Sequence, residues 1–577
     1  MCIVPFLLFT KTCLQVIILT MELKFLTPTL VWADYDPTST PLETTILNNS
    51  QEDNFVRTEY CFTSETTAGG RVRVSSLVYF DSRWVDQRPA IIVLPTLHNS
   101  VNPDIICKGL VKSGYVAIVV DYANCTTITS DKTSFPEELK YAEYPLCREY
   151  MYDIKTSAKE TPWFVWAKIA RRAISFAREH RLVLKDRIGL LGFGTGGHIS
   201  WMVAGVDDRL KALMPIDAGG YIWCRDRKRF GTEAIPKTDE ESAFSTGVGA
   251  ETYARTVKCP VLLVLSSNSD YFDIDRSGDI FTLVPAVNKH LLITKNTNGQ
   301  ITNSTLQCVE TWLSKYLAHD NKIIPNPTAT FEVSEGHIMF HLDTGSSPTN
   351  IQLYLSTGKD SSAVRSWTEI TDLQRIGANN YIAKINIIDQ DEYITAFANV
   401  TYTKGIQYST PVIAILPDKY GLTENVAIAN SSSRIIYNGS MGLGNFIVES
   451  SSFIVADNAL SVKKGPFNIK GISTNIGNLV LFRSSYETLS EDKNIIFRFD
   501  AYSPNARKIT ISLISLSNNE SYSTDITLKG GEHWQGVSLD AQSFKNNKGK
   551  SLIRFSDINK FVFSGAEDVI FNNILWV

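Results

Sequence analysis

The sequence predicts a multidomain protein: one α/β domain on a mostly parallel sheet with helices on both faces, then two all-β sandwich domains. Three observations carry this. The chain has 577 residues, more than one hydrophobic core accommodates. Between residues 71 and 318 short apolar runs alternate with stretches of helical periodicity, as expected of strands buried on both faces and joined by helices. Near 319–328, "HDNKIIPNPT", that alternation stops and short period-two strands take over.

The elements follow in order. Residues 1–20 hold two apolar runs, "IVPFLLF" and "LQVIIL", broken by Lys11. Neither approaches the roughly 20 residues of a membrane span, and a basic n-region and a clear small-residue cleavage site are missing. The working chain is expected to begin near Met21 and to be cytoplasmic. The alternative is an atypical signal peptide and a secreted protein.

"RVRVSSLVYF" (71–80) alternates as an edge or half-exposed strand should, while "AIIVLP" (90–95) and "YVAIVVDY" (115–122) are continuous buried runs. "PWFVWAKIARRAISFAREH" opens with Pro162, suited to the first position of a helix, and repeats apolar residues at helical spacing through Trp166, Ile169, Ala170, Ala173, Ile174 and Ala177. Trp163 and Trp166 are expected in the core. "IGLLGF", "KALMPID", "PVLLVLSS" and "KHLLIT" follow as strands, with helices from about 196, over 273–285 and over 304–317. The α/β domain is thus expected over 21–320. An Ig-like sandwich is expected over 326–416, with strands such as "ATFEVS", "HIMFHL" and "IQLYLS". A second sandwich is expected over 418–577, its clearest strands "NIIFRFDAY", "KITISLIS", "KFVFSG" and "DVIFNNILWV".

Composition excludes several function classes. The formal net charge is −4 and no basic run occurs, so no nucleic-acid or anionic-membrane partner is expected. The nine cysteines contain no C-x-x-C spacing and stop at Cys308. That pattern reads as reduced, buried thiols, with no disulfide framework, metal site or cofactor. Oligomeric state is left open.

One stretch carries the chemistry: "RIGLLGFGTGGHISWMVAG", Arg187 to Gly205, a buried strand, a glycine turn and a helix. Two arrangements fit it. Gly192, Gly194 and Gly197 match G-x-G-x-x-G, with Asp217 at the end of the next strand as the acidic partner of a dinucleotide site. Against this, strands and helices precede the motif, and a polar loop instead of a prompt βαβ unit follows it. The other arrangement is a nucleophile elbow, G-x-S-x-G, with the acid after a later strand and the histidine after the last. Gly194 then occupies the nucleophile position. Asp270, after "PVLLVLSS", occupies the acid position, and Asn298, after "KHLLIT", stands where the histidine belongs.

Residues from about 33 to 318 resemble the dienelactone hydrolase/acetyl xylan esterase group of α/β-hydrolases. The resemblance rests on "WADYDPTSTPLET", "RPAIIVLPTLHNS", "GLLGFGTGGHISWMVAGVDDRLKALMPID" and "SSNSDYFDIDR". It implies a serine in G-H-S-x-G-G at the elbow and a histidine after the last strand, whereas this chain has G-F-G-T-G-G and Asn298. Of the implied triad only Asp270 carries over. The implied oxyanion donors are the backbone N–H of Thr195 and one in "PTLHN", and backbone donors survive side-chain changes. Loss of serine removes the nucleophile. It also removes the strain of holding a non-glycine residue at elbow angles, about 1–3 kcal/mol.

Other candidates are weighed against plainer roles. Asp270 is an acid or a loop carboxylate capping the next helix. Thr195 is a displaced nucleophile or an early-turn helix residue. His198 is a base or a packed helix residue. His98, after the "AIIVLP" strand, is the surrogate base nearest the site mouth. The last domain resembles galactose-binding-like sandwiches found as carbohydrate-binding modules, on "STDITLKGGEHWQGVSLDAQSF" and "DVIFNNILWV". That implies Trp534 or Tyr522 as a sugar-stacking platform; alternatively Trp534 packs the interior. The middle domain reads as a spacer. The expected function is a degenerate α/β-hydrolase of the esterase family, non-catalytic or nearly inactive, binding a glycan or an acylated small molecule. The alternative is an active carboxylic-ester hydrolase with relocated groups: His98, Thr195 and Asp270.

Overall fold

The computed structural model describes residues 23–577 apart from 98–102, 126–128, 131, 225–237, 270, 273, 287, 319–325, 359–361, 426–433, 444–445, 483–493, 516–519, 557 and 559. Residues 1–20, His98 and Asp270 therefore lie outside the described residues.

The first domain is built on nine strands: β1 (Thr45–Glu52), β2 (Phe55–Thr67), β3 (Gly70–Asp81), β4 (Arg88–Leu94), β5 (Val116–Val120), β6 (Val183–Phe193), β7 (Leu210–Ile216), β8 (Val261–Ser266) and β9 (Lys289–Thr294). Their spatial order is β1-β2-β3-β5-β4-β6-β7-β8-β9. Pairing is antiparallel from β1 to β5 and parallel from β5 to β9. The helices are α1 (Pro28–Trp32), α2 (Pro103–Lys112), α3 (Tyr144–Cys147), α4 (Pro162–Glu179), α5 (Thr195–Ala204), α6 (Asp239–Gly247), α7 (Ala250–Ala254), α8 (Ile274–Leu283) and α9 (Asn303–Leu317).

Strand periodicity explains the two covered faces. In β4, Ala90, Ile92 and Leu94 join the core shared with α4 and α5. The intervening Ile91 and Val93 join the core shared with α2 and α9. Successive side chains point to opposite faces, so a strand covered on both sides must be apolar throughout. α4 starts as its sequence suggests, with Pro162 in the first turn and the Thr161 hydroxyl accepting from the Phe164 N–H at 3.4 Å. β3 departs from the edge or half-exposed reading of its alternation. It lies between β2 and β5 and is buried along most of its length, because β1 and β2 extend the sheet beyond it.

The second domain pairs a four-stranded sheet (Thr328–Ser334, His337–Asp343, Asn380–Ile385, Gln374–Arg375) with one containing Thr368–Ile370, Asn350–Thr357, Ile394–Thr401 and Gln407–Ser409. It is more than a spacer. Its Ile338, Phe340, Leu353 and Ala396 share one apolar core with α9. Along β9, Ser409 Oγ accepts from the Ile293 N–H at 2.7 Å and Asn399 Nδ2 donates to the Ile293 carbonyl at 3.0 Å. Side chains of the second domain thereby satisfy the outer edge of the sheet.

The third domain is a sandwich around one core. One sheet orders Leu460–Lys464, Lys470–Thr474, Ile570–Trp576, Phe497–Tyr502 and Gln535–Leu539. The other orders Phe446–Glu449, Asn478–Phe482, Lys560–Ser564, Arg507–Ser515 and Glu520–Leu528. Cys61, Cys107, Cys125, Cys147, Cys259 and Cys308 are free thiols; Cys61, Cys125 and Cys259 are half-buried and the other three buried. No described helix is long and apolar enough to cross a membrane.

Candidate functional site

The turn between β6 and α5 sits at the C-terminal edge of the parallel strands, where α/β sheets place their ligand sites. Gly194 precedes α5 with φ 51° and ψ −112° and donates its N–H to the Ile216 carbonyl at 2.9 Å. The neighbouring glycines serve close packing instead. A Cβ on Gly192 would lie 2.3 Å from the Gly196 carbonyl oxygen, and one on Gly196 would lie 2.3 Å from the Leu94 carbonyl oxygen. One on Gly197 would lie 2.5 Å from the Ala218 Cβ. The G-x-G-x-x-G match is thus accounted for by a tight strand-to-helix turn inside a nine-stranded sheet.

A cavity of about 530 Å³ opens above Gly194. The first domain contributes Thr96, Thr195, Asp217, Ser269 and Asn298, together with Arg148, Tyr152 and Tyr271. The third domain supplies Glu449, Ser450 and Phe453. Asp217, at the end of β7 with φ 49°, is buried. Its Oδ2 accepts from Ser269 Oγ at 2.9 Å, and Gly299 passes close enough that a Cβ there would lie 3.4 Å from that oxygen. The sequence motif that suggested a ribose partner therefore delivers a carboxylate to the cavity.

Asn298 lies in the loop after β9 and is held by the third domain. Its Nδ2 donates to Glu449 Oε1 at 3.1 Å, and Glu449 also pairs with Lys560. The same loop is tied down at Asn296 Nδ2 to the Phe446 carbonyl (2.9 Å) and Gln300 Nε2 to the Ser450 carbonyl (3.2 Å). Ile301–Thr302 pairs in parallel with Ile454–Val455, and Phe193 meets Phe453 edge-on at 4.6 Å. The third domain thus forms a wall of the cavity, which sequence reading did not anticipate.

The remaining candidates separate. Thr195 is the first residue of α5, so its N–H has no acceptor within the helix. Its hydroxyl is sealed from solvent without a hydrogen-bond partner, so it is closed to a ligand in the cavity. His198 lies behind the elbow, with Nε2 2.8 Å from the Val248 carbonyl oxygen and its ring 4.6 Å from Trp163. Burial lowers its pKa to about 4, and its role is packing. Trp163 and Trp166 are core residues. No described residue lining the cavity is a histidine.

In the third domain, the expectation that Tyr522 stacks a ligand is corrected. The phase of strand Glu520–Leu528 turns it inward, 6% exposed among core residues, with its hydroxyl on Glu520. Trp534 lies outside that core, half-buried, with Nε1 donating to the Pro466 carbonyl at 3.2 Å and Tyr502 at 5.9 Å. The tryptophan that packs the interior is Trp576.

The dienelactone hydrolase family model matches residues 77–217, which run from β3 through the elbow to Asp217. Strand order, parallel pairing and the elbow after β6 agree with that match. Residues 77–217 thus lie in an α/β-hydrolase-like region of the first domain. A model of PhoPQ-activated pathogenicity-related protein matches residues 229–365, across the junction of the first domain with the second. No curated protein matches the chain. Among solved structures, the chain is similar to the acetyl xylan esterase from Paenibacillus sp. R4 (14% identity, TM-score 0.38, 49% of this chain and 91% of that one). It is also similar to acetyl xylan esterase 1 from Thermoanaerobacterium sp. JW/SL YS485 (12%, 0.36, 48% and 89%). A third similar structure is the glucuronoyl esterase from Solibacter usitatus (11%, 0.33, 48% and 87%).

Proposed function

We propose that this chain is an esterase-type α/β-hydrolase that has lost hydrolysis and keeps its cavity as a binding site for a glycan or an acylated small molecule. One observation carries the reading: Gly194 occupies the elbow and contributes no side-chain atom to the cavity above it. Covalent ester hydrolysis needs a nucleophile and a base acting together. Asn298, at the histidine position, has an amide that does not take up a proton at neutral pH and is bound to Glu449. The neighbouring hydroxyl that could replace the nucleophile, Thr195 Oγ1, is sealed off. What persists is the N-terminus of α5, whose backbone N–H groups suit a carbonyl or hydroxyl oxygen of a bound ligand.

The test is chemical. The wild type should be unreactive toward fluorophosphonate probes and show little turnover of p-nitrophenyl acetate. Robust turnover abolished by Thr195→Ala or His98→Ala would overturn the reading in favour of an active hydrolase with relocated groups.

A further inference from the structure

Among the described lining residues, Glu449 is the one carboxylate that comes from outside the first domain, and its two oxygens stand in different situations. Oε1 accepts from both Asn298 Nδ2 and Lys560 Nζ, which fixes the side chain between two domains. Oε2 has no hydrogen-bond partner among the described residues, and the side chain, 21% exposed, lines the cavity above Gly194. A carboxylate oxygen only accepts, so a ligand meeting Oε2 must bring a donor. Opposite in kind, the start of α5 offers backbone N–H donors. A second carboxylate, the buried Asp217, lines the same cavity, and like charges in a low-dielectric site repel strongly. Among the described lining residues the cation is Arg148, which is exposed, so solvent screens what it offers an anion, and Lys560, behind the wall, is already engaged by Oε1. Tyr152, Tyr271 and Phe453 add apolar ring surface, and about 530 Å³ falls within the usual span of small-ligand sites, roughly 300–1,000 Å³.

We propose that Glu449 is a ligand-binding residue supplied by the third domain, its second carboxylate oxygen accepting from hydroxyl groups of a neutral saccharide held above Gly194. This rests on the reading of the cavity as a binding site and adds the ligand's charge and the domain that selects it. The hydrolase domain supplies donors from the start of α5, and the third domain supplies the acceptor. Fixing Oε1 with Asn298 and Lys560 orients Oε2 before the ligand arrives, so less ordering entropy is lost on binding.

The experiment uses the full chain, with xylobiose and N-acetyl-D-glucosamine as neutral probes and D-glucuronate as the anionic one, read by saturation-transfer NMR and calorimetry. At least one neutral sugar should bind, glucuronate should bind at least tenfold more weakly, and Glu449→Gln should weaken the neutral sugar at least tenfold at a temperature where the variant is fully folded, while lowering the melting temperature because the buried Lys560 loses its charged partner. Glu449→Asp keeps the charge but shortens the reach by one methylene, so it should weaken binding comparably and stands in if the glutamine variant fails to fold. The proposal is overturned if neither neutral sugar binds, if glucuronate binds as well or better, or if both Glu449 variants bind like wild type. Turnover of p-nitrophenyl acetate would instead overturn the loss of hydrolysis, whatever the sugars do.

Discussion

Substituting Gly194 with serine places a side chain at the turn between β6 and α5, and its cost can be worked from the backbone. At φ 51° and ψ −112° a non-glycine residue is strained by about 1–3 kcal/mol. The new Cβ would also lie 2.9 Å from Thr96 Oγ1 and 3.4 Å from Thr96 Cβ. Relief by turning the Thr96 side chain off its rotamer costs about 0.5–1.5 kcal/mol. The unfolded chain loses backbone freedom when glycine is replaced, which offsets about 0.4–1 kcal/mol. The net expectation is a loss of about 0.5–4 kcal/mol, or roughly 1–12 °C in the melting of a domain of this size. Denaturant unfolding of Gly194→Ser and Gly194→Ala, followed by tryptophan fluorescence, measures it. Adding Thr96→Ala separates the causes, since it removes the contact and leaves the strain. Gly192→Ala and Gly196→Ala, whose Cβ atoms would lie 2.3 Å from backbone oxygens, should be far worse and fail to fold. Variants of Gly194 as stable as wild type, or a Gly196→Ala variant that outlasts Gly194→Ala, would refute the reasoning. On the proposed function, Gly194→Ser with Asn298→His is the pair to assay for a gain of esterase activity, because nucleophile and base act as a unit.

Three further outcomes are expected. His198 has a folded pKa of about 4, below its unfolded value, so its contribution is fully present above about pH 6.5 and is lost as pH falls toward 4. At about 1.4 kcal/mol per unit this amounts to as much as roughly 3 kcal/mol. Urea unfolding at pH 7.5, 5.5 and 4.5 should show a shallower loss in His198→Gln, with His180, also lowered to about 4 by burial, supplying part of what remains. Arg365 and Asp275 form a buried two-bond ion pair at 2.5 and 2.7 Å between the second domain and α8. Arg365→Met should cost about 3–5 kcal/mol in thermal or urea unfolding, and Arg365→Met with Asp275→Leu should recover most of it. Trp576→Ala should cost about 3–5 kcal/mol and unfold the third domain, whereas Trp534→Ala should leave its far-UV circular dichroism intact.

Residue patterns fix local features. Continuous apolar runs at 90–95 and 116–120 announce strands covered on both faces, since any polar residue there would face a core. The glycine turn between β6 and α5, and the presence of glycine at 194 and asparagine at 298, are facts of single positions, legible without coordinates. Periodicity is silent on what lies beside an element. The alternation at 71–80 suits an edge or an interior antiparallel strand equally, and only the pairing of β2 and β3 decides for the interior. Alternation divides strand Glu520–Leu528 into two faces without naming the covered one, so Tyr522 could be placed inside only once the second sheet was seen. The cavity joins Arg148, Asp217, Asn298 and Glu449, residues far apart along the chain. No local rule of spacing links them, because closing so long a loop is favoured only by the packing of whole domains, which the tertiary structure alone displays.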